Sequence, residues 1–138
     1  MILNERGQSM VELALVIVIF LAVILVLGDM VRICYNWVSL QYAVNEAARL
    51  GSVDQDSSAV SAKITTITDT FGVRNVTVSF LNDQGSATPG AALSFFTLTA
   101  RTPVVLNPVS GVILSITGDY SGTYNVAAQT VIRNEPSA

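Results

Sequence analysis

"RGQSMVELALVIVIFLAVILVL", residues 6–27, is the stretch on which the fold turns. From Leu13 to Leu27 every side chain is apolar and neither Gly nor Pro interrupts, so the segment reads as a helix suited to hydrocarbon. That uninterrupted part is shorter than the roughly 20 residues a membrane span needs. Counting back to Gln8 reaches the length but draws Glu12 inside the edge of the span. A carboxylate there is costly unless something answers its charge.

Three readings of the run compete. A secretory signal peptide would need a small-residue cleavage site behind the apolar region, and Gly28, Asp29, Met30, Val31 and Arg32 follow instead. A plain single-pass anchor is oriented by Arg6 and the amino terminus, which favour a cytoplasmic N-terminus, but it leaves Glu12 unexplained. The third reading supposes a cut after Gly7. Gln8 then carries a free cationic amine, and Glu12 lies about one helical turn away. In a bundle of parallel copies the carboxylate of one subunit meets the amine of the next, each offsetting the other's charge and together fixing the axial stagger.

The remaining composition narrows the choices. Charged residues make up 12% of the chain and the net charge is −3. The seven basic residues are scattered, with no stripe that would follow a phosphate backbone, so nucleic acid is not expected as a partner. The chain has no His, which removes the commonest general base and metal ligand. Cys34, the single cysteine, cannot form an intramolecular disulfide and is expected to pack as a small apolar side chain. Asp54 and Asp56 read as a solvated loop rather than a metal site. No phosphate loop, nucleophile–base pair or metal set is present in the sequence, so neither an enzyme nor a cofactor is expected.

Gly7, four residues, Glu12 and a long apolar stretch together resemble the cleavage motif of type IV prepilins and pseudopilins. "RGQSMVELALV" followed by "GDMVRICYNWVSLQYAVNEAARLG" resembles the TadE-like pilin family of tight-adherence (Tad) secretion systems, most of all in the opening around Glu12 and in the segment of residues 43–49. The ending, "TVIRNEPSA", resembles that family's usual finish. The similarity is strong over about residues 6–51. Leu13 stands after Glu12 where major Tad pilins carry Tyr, which suits the TadE-like branch better. The resemblance implies cleavage between Gly7 and Gln8 by a prepilin peptidase, with Glu12 as the assembly carboxylate. It also implies a minor pilin or pseudopilin that works with other pilin subunits and an inner-membrane pilus assembly platform. Its C-terminal domain would be periplasmic or extracellular, and it would pass into a pilus if assembled.

Beyond the run, Met30, Ile33, Cys34, Trp37, Leu40, Val44, Ala47 and Ala48 repeat at helical spacing, so the helix is expected to continue. Met30, Ile33, Trp37, Val44 and Ala47 are the expected helix-packing positions, and Gly51 a plausible stop. Such a helix would be roughly 65 Å long. Asp29 with Arg32, and Glu46 with Arg49, are spaced for ion pairs. Gly28 and Asp29 mark the outer membrane boundary, with Gly28 as a flexible point the alternative; Tyr35 and Trp37 suit either an interfacial belt or a cover for the domain beyond.

A second helix follows, capped by Asp56 or Ser57, ended by Gly72, with Val60, Ile64, Ile67 and Phe71 on one face. The period then falls to two. Strands are expected around Val76–Phe80, over "LSFFTLTARTPVVL" to Pro103 or just beyond, and over "TYNVAAQTVIRN". "NDQGSATPG" reads as a turn, and "NPVSGVILSITGDYSG" as a loop with an apolar centre open to a membrane, a subunit or ordinary packing. Asn75-Val76-Thr77 fits a glycosylation pattern but reads better as a strand start.

The expected fold class is α+β: a long N-terminal transmembrane helix, a short helix and a small three-stranded antiparallel sheet. The expected division is a prepilin leader over 1–7, a long hydrophobic helix over 8–51 spanning the membrane at about 8–28, and a small extracytoplasmic α+β domain over 52–138. The leading expectation is a pilin-like subunit of a Tad or type IV-like pilus. The alternative is an uncleaved single-pass protein that displays a small interaction domain outside the cytoplasm.

Overall fold

The computed structural model describes residues 5–54, 57–82, 95–118 and 122–133. In chain order these form α1 (Glu5–Asp54), α2 (Ser57–Thr70), β1 (Thr77–Asn82), β2 (Phe95–Val105), α3 (Pro108–Thr117) and β3 (Thr123–Arg133). The fold is α+β: a long apolar N-terminal helix, a short helix and a three-stranded antiparallel sheet in the order β1-β2-β3. α3 is an addition to the expected architecture. The "NDQGSATPG" turn beyond Asn82, Asp56 and the last five residues of the family-like ending lie outside the described residues.

The chain divides into two compact units. One comprises Ile33–Val104 and Tyr124–Ala138. Within it α2 turns back along α1. The Tyr35 hydroxyl donates to the carbonyl of Phe71 at 3.0 Å, and the Tyr42 and Phe71 rings meet edge-on at 5.8 Å. At the other end of the pair, Gly51 lies against Val60. Leu40, Ala43, Val44 and Ala47 form the buried stripe of α1, at the i, i+3, i+4, i+7 spacing of one helical face.

Gly51 does not end α1, which runs on to Asp54. A Cβ there would lie 3.1 Å from Val60 Cγ2 and 3.2 Å from Phe96 Cζ, so Gly51 is a point of close approach and the helix continues through it. Gly72 does end α2. Its φ is +72°, its N–H donates to Asp69 O at 3.0 Å, and the Val73 N–H donates to Thr68 O at 2.9 Å, the paired bonds of a Schellman cap. The buried face of α2 is Val60, Ile64 and Thr68, while Phe71 is exposed. Thr68 takes the buried place on this face instead of the expected Ile67, which is half-buried, and Phe71; its hydroxyl back-bonds to Ile64 O at 2.9 Å, which leaves its methyl free to pack.

β1 pairs antiparallel with β2 from Thr77↔Arg101 to Asn82↔Phe96. Phe96, Leu98, Ala100, Thr102 and Val104 alternate inward along β2, with Val126, Ala128 and Ile132 doing so on β3. Thr102 satisfies its hydroxyl on Arg74 O at 2.8 Å. β2 passes through Pro103, which lies beyond the residues paired with β1, so the missing N–H breaks no bond of that ladder. Arg133 at the end of β3 lies 6.0 Å from the centre of the Phe95 ring at the start of β2. Asn75 takes a left-handed bend at φ 58° just before β1, rather than a strand start.

The other unit comprises Met1–Arg32 and Val105–Thr123, and holds the first part of α1 together with α3. Its part of α1 is helical without a break at Gly28, and apart from half-buried Ala22 and Val26 the apolar side chains of the run are exposed, Ile17 at 47% and Val18 at 66% among them.

Candidate functional site

The N-terminal part of α1 places Gly7 and Glu12 on one short length of exposed helix, with Gln8, Val11 and Leu15 around them. Gly7 has no structural reason to lack a side chain, since a Cβ built on it meets nothing within 4 Å. Glu12 stands exposed on the helix, and among the described residues it makes no ion pair within the chain. The helix around it contains a window of mean hydropathy 3.2, none of it buried, and is long and apolar enough to cross a membrane.

The five expected packing positions separate. Val44 and Ala47 are fully buried, in the unit that holds the sheet, and Ile33 is half-buried. Met30 and Trp37 are 56% and 49% exposed within the chain, so they take no part in its own core. Cys34 is exposed, against the expectation of a packed thiol, because the buried stripe begins only at Ser39 and Leu40. Tyr35 is held by the Phe71 carbonyl and so covers the domain.

Asp29 is the residue whose role the sequence concealed. It is 2% exposed although it lies only two residues beyond the apolar run. Its carboxylate accepts the Asn107 backbone N–H at 2.8 Å and the Asn107 side-chain amide at 3.0 Å. Asn107 is the N-cap of α3 and Pro108 opens the helix, so the carboxylate lies at the positive end of the α3 dipole. Asn107 makes no side-chain cap of its own, because its amide is turned to Asp29. The buried Ser110 hydroxyl faces the same carboxylate without reaching hydrogen-bond geometry to it. Arg32 stands 3.8 Å away and largely in solvent, a weak pair. No Glu46–Arg49 ion pair forms among the described residues. The Asn-Pro pair at 107–108 was the available signal of a helix start, and the β-branched residues and Gly111 behind it obscured it.

Among the described residues no group of three His, Cys, Asp or Glu side chains could hold a metal ion. What the geometry presents is a largely exposed apolar helix with Gly7 and Glu12 near its start, which fits a membrane protein. The model of the TadE-like protein family matches residues 7–49, a span that contains Gly7, Gln8, Glu12 and all five packing positions. The match agrees with the resemblance carried by residues 6–51, and together with the long apolar helix it fits a membrane protein associated with a Tad pilus. No match is found among curated proteins or among solved structures.

Proposed function

We propose that this chain is a pilin-like subunit, a minor pilin or pseudopilin of a Tad pilus, which is cut between Gly7 and Gln8 and assembles through its N-terminal helix. The observation that carries the proposal is the bare surface around Glu12. Within the described chain the apolar residues from Met10 to Leu27 stand exposed apart from half-buried Ala22 and Val26, so lipid or other helices must cover them. Lipid tails and protein interiors are similarly apolar, and a helix of this kind moves from a bilayer into a bundle at little net cost. Glu12 then supplies register, by meeting the new amine of a neighbouring subunit.

The role is structural, not enzymatic, and needs no cofactor. Its partners are other pilin subunits, the prepilin peptidase and an inner-membrane assembly platform, with the N-terminus cytoplasmic before assembly. Glu12→Leu tests the reading. The variant should enter the membrane as well as the parent or better, and should be absent from sheared pili. Normal incorporation of the variant would remove the registering role and the proposal with it.

A further inference from the structure

α3 is built inside out for a helix in water. Its small and polar residues Ser110 and Gly111 are buried, and its large aliphatic residues face outward, Val112 at 63%, Ile113 at 46% and Ile116 at 80% exposure. The helix Pro108–Thr117 carries no charged residue. Burying small residues while turning aliphatic ones outward is the arrangement of helices packed in lipid, where close backbone approach holds the pair together and the outer face meets acyl chains. The polar groups agree. The Ser115 hydroxyl is satisfied within the helix, on Val112 O at 2.7 Å, and the N-cap amides of Asn107 are satisfied by Asp29.

The placement points the same way. Asp29 follows the apolar run by two residues, so the start of α3 is fixed at the level where that run ends. Within the run only Ala22 and Val26 are half-buried among exposed neighbours, and with Asp29 they form one stripe at i, i+4, i+7. α3 belongs to the same compact unit. At about 15 Å it is too short to span a bilayer. We propose that α3 leans on the last turns of the α1 apolar run and lies in the lipid boundary layer, with Val112, Ile113 and Ile116 against acyl chains of the phospholipid bilayer. α3 thereby makes a second membrane contact beside the spanning helix until assembly. The inference rests on α1 crossing the membrane, as the pilin reading requires.

The test uses full-length protein in phosphatidylcholine–phosphatidylglycerol vesicles at high lipid-to-protein ratio. Nitroxide labels go on single cysteines in a Cys34→Ser background, at Val18→Cys, Ile113→Cys, Ile116→Cys and Lys63→Cys. Collision with oxygen reports lipid and collision with an aqueous nickel chelate reports water. Positions 113 and 116 should follow Val18 in favouring oxygen several-fold, and position 63 should favour nickel. Oxygen preference at 18 with nickel preference at 113 and 116 overturns the α3 proposal and leaves the spanning helix standing. Nickel preference at 18 as well overturns both. Dipolar broadening between labels at 116 that persists on dilution with lipid assigns the face to a second copy of the chain, and also overturns the proposal.

Discussion

Asp29 and Asn107, 78 positions apart in sequence, are joined by two hydrogen bonds of 2.8 and 3.0 Å between one carboxylate and both N–H groups of one asparagine. A buried charge of this kind is tolerated because each oxygen has a donor and a helix dipole points at it. Asp29→Ala leaves the Asn107 backbone N–H buried without its acceptor, a loss of about 1.5–3 kcal/mol for bonds to a charged group. Amides of α3 should then exchange with deuterium roughly 10- to 100-fold faster, by the factor of 10 in an equilibrium per 1.4 kcal/mol. Those of β2 from Phe96 to Arg101 should be unchanged. Asn107→Ala keeps the backbone bond and should show a smaller effect in the same measurement.

Gly51 holds the two helices of the sheet-bearing unit at close range. A larger side chain must displace Val60 and Phe96, both of which are buried. Gly51→Leu should lower stability by about 1–3 kcal/mol, the usual penalty for overpacking. Thermal unfolding of the detergent-solubilised protein measures it.

Gly72 is required by its backbone. At φ +72° a side chain adds about 1–2 kcal/mol of strain, although a Cβ would meet no neighbour. Gly72→Ala should therefore lower the unfolding midpoint without altering the circular dichroism spectrum at low temperature.

Where local pattern and tertiary role coincide, the sequence is a sufficient guide. Leu13–Leu27, the alternation along β2 and the stop at Gly72 each state their structure in a few residues. The packing stripe is harder to locate, since Met30, Trp37, Leu40 and Val44 share one helical period, and only the position of α2 and the sheet decides that the chain's own core begins near Leu40. Thr68 is hidden for another reason: its hydroxyl is satisfied within α2, so a polar residue serves as core. α3 and the Asp29 contact are the least legible. Their logic lies in a pair of residues far apart in the chain, and their burial is the reverse of the pattern that marks a helix in water. Glu12 is the opposite case. The sequence points to it, and the single chain offers it no partner among the described residues.

Gly7 separates recognition from folding. A side chain at this position is unobstructed, so Gly7→Val should leave the helix and the sheet-bearing unit intact by circular dichroism. It should stop maturation, because a peptidase pocket shaped for Gly has no room for a branched side chain. Immunoblots of native membranes would then show only the longer form. Normal processing of the variant would count against Gly7 as the recognised residue.

The most direct measurement is the N-terminal sequence and intact mass of the protein recovered from native pili. The account predicts a chain that begins at Gln8 and retains Glu12 as its fifth residue. A full-length chain beginning at Met1 in every membrane fraction, and absent from the pili, would contradict it.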